Sequence, residues 1–230
     1  MHVKWVPTNE QLADAISRRL STIESKLRFP IRKLIMDIFD INMDMFASNT
    51  NKLWPDIPYL SEFPDDEAHG VDGLAYNPKE SDKLYCFPPF KLRIPVVNRL
   101  SKFSNQAVFV LTIQNSLKQD LAYIFSKFDY YIRLGPSYKA VIRPAERLVT
   151  LDGKSDYFTT YDKVVDTVLL LKGINLYTAE RFERNLRPLL PNPPDDMIPS
   201  PLDHFISSHS HSKTHSKSKI GSVKDLNLNL

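Results

Sequence analysis

The chain has little of what several large protein classes depend on. It holds one cysteine in 230 residues, so no internal disulfide and no cysteine-rich zinc site can form. That usage points to reducing, intracellular surroundings, cytoplasm or nucleus. Glycine is scarce as well. The six glycines, at 70, 73, 135, 153, 173 and 221, make no G-x-G-x-x-G and no G-x-x-x-x-G-K-[ST]. Phosphate loops of either kind need backbone without Cβ, so a P-loop NTPase and a glycine-rich dinucleotide fold are excluded. Long hydrophobic runs are absent. Val164–Leu171 is the nearest, and Asp166 interrupts it. A membrane span needs roughly 18–20 apolar residues, so a soluble chain without a membrane partner is expected. Lys4, Pro7 and Glu10 break the start of the chain, which does not read as a signal peptide.

Charge of one sign is also lacking. Thirty basic residues face 27 acidic ones, for a formal net charge of +3. The tail from residue 207 holds Lys213, Lys217, Lys219 and Lys224 against Asp225 alone, so it carries the whole excess. The body is neutral, and bulk electrostatics give no strong pull toward nucleic acid. What is present is apolar and aromatic: 42% and 11% of the chain, with 25% charged, enough for a real core.

Hydrophobic periodicity gives an alternation of helices and strands. His2–Val6 reads as a short strand, and Asn9 caps a helix running to about Lys26. Pro30 fits the first turn of a new helix carrying Ile31, Leu34, Ile35 and Ile38. Ile41–Ala47 alternates as a strand does, and 48–69 reads as a loop. Val71–Ala75 and Leu84–Phe87 are short strands, and Lys91–Phe103 is a helix with Pro95 near its start. Ala107–Ile113 is a continuous apolar run that suits a doubly covered central strand. A helix over about Leu117–Lys127 and a strand at Tyr130–Leu134 follow. Two more helices are expected, about 160–172, ended by Gly173, and 178–190, started by Thr178. The proline-rich run from Pro188 to Pro201 leads into a Ser/His/Lys tail, and 191–230 is expected to be disordered. This pattern predicts an α/β fold with a largely parallel sheet.

Two stretches carry more than composition. Val3-Lys4-Trp5-Val6-Pro7, Asn9 and Leu12-Ala13-Asp14-Ala15-Ile16-Ser17-Arg18 resemble the last strand and last helix of the RNase H domain of retroelement polyproteins. The resemblance covers residues 1–26. It places Asp14 where that family has the last of four carboxylates holding two divalent metals. Two-metal catalysis needs the whole set, so Asp14 alone is not expected to bind metal.

The second stretch covers about 28–150. It contains Asp44-Met45-Phe46-Ala47-Ser48 with Asn51, then Asp72-Gly73-Leu74, then Phe87-Pro88-Pro89-Phe90 before the strand Val108–Ile113. This looks like the Dam-like adenine methyltransferase domain found in phages and, after RNase H, in DIRS-type retrotransposons. The resemblance implies a Rossmann-like methyltransferase sheet flanked by helices. It implies an S-adenosylmethionine site with Asp44 and Ser48 at the end of the first strand and Asp72 near the second or third. It makes Phe87, Pro88, Pro89 and Phe90 the catalytic motif. In that family the motif is (D/N)-P-P-(Y/F/W). Its first residue accepts hydrogen bonds from the adenine amine, and its aromatic stacks on the flipped base. Phe87 cannot accept that bond. Losing so oriented a contact lowers rates on the order of 100–1000-fold.

The resulting expectation is a truncated, retrotransposon-derived chain with an inactive methyltransferase-like domain that binds nucleic acid. A helical extension at 151–190 and the tail follow it. Two other readings stay open: an active S-adenosylmethionine-dependent DNA adenine methyltransferase, and a non-catalytic α/β interaction domain. Cys86 reads as a buried, inert thiol. Tyr130, Tyr131, Arg133, Tyr138 and Lys139 interleave aromatics with cations, as a half-solvated strand or a nucleic-acid surface would. Asn192-Pro193-Pro194-Asp195 mimics the motif without an aromatic. His204, His209, His211 and His215 read as low-complexity tail.

Overall fold

A computed structural model describes residues 26–113, 120–136, 141–142, 166–190, 205–206, 208 and 220–226. The strand and helix expected before residue 26, Asp14 among them, lie outside the described residues, as do Tyr138, Lys139, Asn192–Asp195 and the four tail histidines named above.

In chain order the elements are β1 (Lys26–Leu27), α1 (Phe29–Phe39), β2 (Met43–Asp44), β3 (Leu60–Ser61), β4 (Gly70–Val71), β5 (Leu84–Cys86), α2 (Arg93–Leu100) and β6 (Ala107–Ile113). Then come α3 (Leu121–Phe125), β7 (Tyr130–Pro136), β8 (Val141–Ile142), β9 (Asp166–Lys172), α4 (Leu176–Leu186) and β10 (Ile220–Ser222). Pro30 stands in the first turn of α1, where its missing N–H leaves no helical bond unmade. Asp40, in the left-handed conformation, ends that helix.

Among the described residues the main sheet has six strands, in the order β10-β7-β9-β6-β5-β2. β2, β5 and β6 pair in parallel, and the other three pairings are antiparallel. The fold is therefore mixed α/β, and the expected largely parallel sheet is corrected. The reason is β9, which enters between β6 and β7 and runs against both. β3 and β4 pair in parallel and extend the sheet beyond β2. An isolated parallel bridge, Asp44 to Tyr59, makes the junction. The Asp44 N–H donates to the Pro58 carbonyl at 2.9 Å and the Ala47 N–H to that of Leu60 at 3.0 Å.

Both faces of the sheet are covered. Phe109, Leu111 and Ile113 of β6 meet Val96, Val97 and Leu100 of α2 and Leu121, Ile124 and Phe125 of α3. Val108 and Val110, pointing the other way, join Ile31, Ile35 and Phe39 of α1 and Ala179, Phe182 and Leu186 of α4. Phe39 and Phe182 stack with centroids 4.8 Å apart, tying α1 to α4.

Four further expectations are corrected. The helix expected over about 160–172, in the extension 151–190, is strand β9 over its described part. Asp166–Leu171 is buried throughout, as a strand covered on both faces must be. A short apolar run of this kind fits a buried helix or a buried strand by periodicity alone. The strand expected over Ile41–Ala47 narrows to Met43–Asp44, because the chain turns at Met45 and Phe46. The tail is not wholly irregular: Ile220–Ser222 pairs with β7, and Phe205, Val223 and Leu226 are buried in the core beneath α3. The expected helix 178–190 begins earlier, capped by Asn175, whose Oδ1 accepts the Thr178 N–H at 2.8 Å. Among the described residues no helix is long and apolar enough to cross a membrane.

Candidate functional site

β2 and β5 are neighbours whose connections lead apart. From β2 the chain goes to β3 and β4 on one side. From β5 it goes to β6 on the other. The sequence motifs cluster at the carboxyl ends of these two strands. Asp44 stands opposite Tyr85 in register, and the Met45 N–H donates to the Tyr85 carbonyl at 2.8 Å. Phe87-Pro88-Pro89-Phe90 begins two residues further along β5. Gly73 brings in the third motif. A Cβ there would collide with the Met45 carbonyl oxygen and lie 3.1 Å from the Phe46 ring. Only glycine lets the Asp72–Leu74 turn come so close to the end of β2.

Asp44 is 1% exposed, and both its carboxylate oxygens are occupied. Oδ1 accepts the Phe46 N–H at 3.2 Å and Oδ2 accepts the Leu53 N–H at 2.8 Å. The carboxylate thus folds the loop 45–53 back over the strand end. Burial pushes its pKa up to about 7, against the two amide bonds, which pull it down. Ser48 is held by Asn51, whose Oδ1 accepts the Ser48 N–H at 2.7 Å and the Ser48 hydroxyl at 3.3 Å. Asp72 has φ 65°, and its Oδ1 accepts the Leu74 N–H at 2.9 Å while the side chain stays exposed.

The structure therefore brings Asp44, Ser48 and Asp72 to one end of the sheet. Their fit to S-adenosylmethionine is poor. Asp44 and Ser48 spend their hydrogen-bonding groups on their own loop. Asp72 alone offers a carboxylate to solvent.

The Phe87–Phe90 turn divides its side chains. Phe87 is half-buried against the core under α1, and Pro88 is buried. Pro89 is exposed, and Phe90 is 44% exposed. Cys86, just before the turn, is fully buried, and desolvation pushes its thiol well above the usual range, so it is inert as expected.

One residue at this end was not singled out by the motifs. Arg93, first in α2, is 5% exposed. Its guanidinium lies over the Phe90 ring, 4.1 Å from the centroid, and Nη2 donates to the Thr112 hydroxyl of β6. Its Nη1 is buried without a partner. Burial lowers its pKa to about 10, so it keeps its charge at neutral pH. The signal was in the sequence. Arg93, Val96, Val97 and Leu100 are all buried, at i, i+3, i+4 and i+7, so a cation occupies the apolar stripe of a helix.

The nearby polar pair is different. Asp166 at the start of β9 is 1% exposed and accepts from Arg133 at 3.0 Å, so Arg133 serves a buried ion pair within the sheet. A cavity of about 330 Å³ lined by Asp129, Tyr130, Asn175 and Lys224 lies at the opposite end of the strands, away from Asp44, Ser48, Asp72 and Phe87–Phe90. Among the described residues no group of three or more His, Cys, Asp or Glu could hold a metal ion. No family model and no curated protein matches the chain.

Proposed function

We propose that the chain is a non-catalytic, nucleic-acid-binding domain with the Rossmann-like sheet of the Dam-like adenine methyltransferases of DIRS-type retrotransposons. The observation that carries this reading is the strand order. Strands β4-β3-β2-β5-β6 run the same way and stand in the order third, second, first, fourth, fifth. β7, running with them, is sixth, separated from β6 only by the antiparallel β9. That is the doubly wound order, whose ligand crevice opens at the carboxyl ends where the order reverses. Here the reversal lies between β2 and β5, where all three motifs gather.

Phe87 argues against turnover. Its ring packs inward and offers no acceptor to an adenine amine, and a buried amine left unpaired costs about 1–3 kcal/mol. Asp44 and Ser48, turned to their own loop, weaken the cofactor side as well. Phe90 keeps its exposed ring as a stacking surface.

The test uses labelled S-adenosylmethionine and adenine-containing DNA, single- and double-stranded. No methyl transfer by the chain, with measurable binding of the DNA, supports the proposal. Transfer by the wild-type chain overturns the non-catalytic part. Absence of any nucleic-acid binding overturns the rest. A gain of transfer in Phe87→Asn would tie the missing activity to that residue. The nucleotide sequence upstream of Met1 tests the retroelement origin: a reverse transcriptase frame and the remaining RNase H carboxylates are expected there.

A further inference from the structure

Arg93 is an anomaly in energetic terms. A buried guanidinium is ordinarily matched by a carboxylate or saturated with acceptors. Arg93 has neither. Its one hydrogen-bond partner is the neutral hydroxyl of Thr112. Its Nη1 is buried with no acceptor at all. None of the described salt bridges includes it, and α2 has no acidic residue in its first turn. A buried donor without a partner calls for an explanation, and an absent anion is one that fits both the charge and the vacant bond.

Its surroundings indicate which anion. The guanidinium lies against the Phe90 ring, which is 44% exposed. Lys91, next in the chain, is exposed and supplies a second cation one residue from Phe90. An exposed ring backed by a guanidinium, with a second cation nearby, matches a nucleotide: base on the ring, phosphate on the cation. A free carboxylate would use the guanidinium and leave the ring unexplained.

We propose that Arg93 is the phosphate-binding residue of a nucleotide site at the carboxyl ends of β5 and β6, with Phe90 stacking on the adjoining base of a single-stranded nucleic acid. This rests on the nucleic-acid reading of the same strand ends and adds the group that holds the backbone there. The phosphate of a free mononucleotide has the same chemistry, so the test separates the two sources.

The measurement is fluorescence anisotropy of labelled single-stranded DNA, 12 nucleotides long, with the full chain at several salt concentrations. Wild type, Arg93→Met and Arg93→Lys are compared, with adenosine monophosphate as competitor. Methionine matches the buried stem and removes the unpaired charge, a change of a kind that is often neutral or stabilising, and thermal melting checks that each variant folds. The expected result is binding roughly 10- to 100-fold weaker in Arg93→Met and partial recovery in Arg93→Lys. The slope of log K against log salt should be shallower by about 0.7 in Arg93→Met, the loss of one phosphate contact. Weak competition by the mononucleotide supports the strand as ligand. Binding of the mononucleotide as tightly as the strand overturns the choice of strand. Arg93→Met that folds and binds with unchanged affinity and slope overturns the Arg93 assignment while the nucleic-acid reading stands. Absence of any binding by wild type overturns both. If Arg93→Met does not fold, Arg93→Lys carries the test: affinity equal to wild type overturns the guanidinium contact, and a several-fold loss supports it.

Discussion

The backbone of Gly73 lies against the carbonyl oxygen of Met45 so closely that no side chain can stand between them. This contact seats the Asp72–Leu74 turn on the end of β2, opposite the Phe87–Phe90 turn on β5. Gly73→Ala should force the two segments apart. Overpacking of this kind typically costs about 1–3 kcal/mol. Gly135→Ala is the control. Its φ of 86° is also unfavourable for a side chain, but nothing lies within 4 Å of an added Cβ. Urea unfolding should show the larger loss for Gly73→Ala, and the smaller one for Gly135→Ala should reflect backbone conformation alone.

Asp44 should make the fold pH-dependent in an unusual direction. Its folded pKa, about 7, lies above the ordinary value of 3.8. The native state therefore holds the proton more tightly than the unfolded chain does. Stability from this group is full at about pH 4 and below. It falls as pH rises toward 7 and is level beyond that, a drop of about 4 kcal/mol in all. Asp44→Asn cannot ionise, so its stability should be flatter over the same range. Denaturant unfolding between pH 4.5 and 8 measures both curves. The variant loses one of the two amide contacts, so it should be weaker than wild type at pH 5 and closer to it at pH 8.

Much of the sheet could be read from the sequence because single residues settled it. Seven consecutive apolar residues at Ala107–Ile113 can be hidden only by cover on both faces, and β6 is buried throughout. Pro30 fixed the start of α1. The turn Phe87–Phe90 follows a strand, as its motif required. β9 was missed because Val164–Leu171 has neither a polar face nor an alternation, and only its pairing with β6 and β7 decides its conformation. β10 was missed because three residues in a Ser/Lys background carry no signal, and the free edge of β7 supplies the partner. Asp44 was placed correctly at the strand end, but its two amide partners depend on a loop closure that spacing does not reveal. Arg93 is legible in the sequence as a cation on the apolar stripe of α2.

The position of β9 makes a prediction about folding. A chain ending at residue 150 keeps every motif residue and loses the strand between β6 and β7. Those two strands have no pairing with each other, because β9 makes all their contacts on that side. The fully buried Val168, Leu169, Leu170 and Leu171 leave with it. Such a chain should show no cooperative unfolding transition and should bind a hydrophobic dye at neutral pH. In the full chain, Leu170→Ala should destabilise by about 2–5 kcal/mol in urea.

Gly221 carries the same logic to the sheet edge. It stands opposite Tyr131 across the β10–β7 pairing, and a Cβ on it would strike the Tyr131 ring. The ring therefore lies across the glycine, and on its other side Tyr131 meets Phe125 with centroids 5.4 Å apart. Phe125 in turn meets Phe205 at 5.1 Å. Gly221→Val must displace either the strand or the ring. The ring is held by α3, so β10 should be the element that leaves. Amide hydrogen exchange should then speed up at Ile220–Ser222 and at Val223, whose N–H donates to the Asp129 carbonyl at 3.0 Å. Exchange in β6 and β9 should stay slow, since neither pairs with β10. Tyr131→Ala in the Gly221→Val background removes the clash and should restore protection at Val223. Failure of that rescue would place the lost protection in the valine itself and not in the contact with Tyr131.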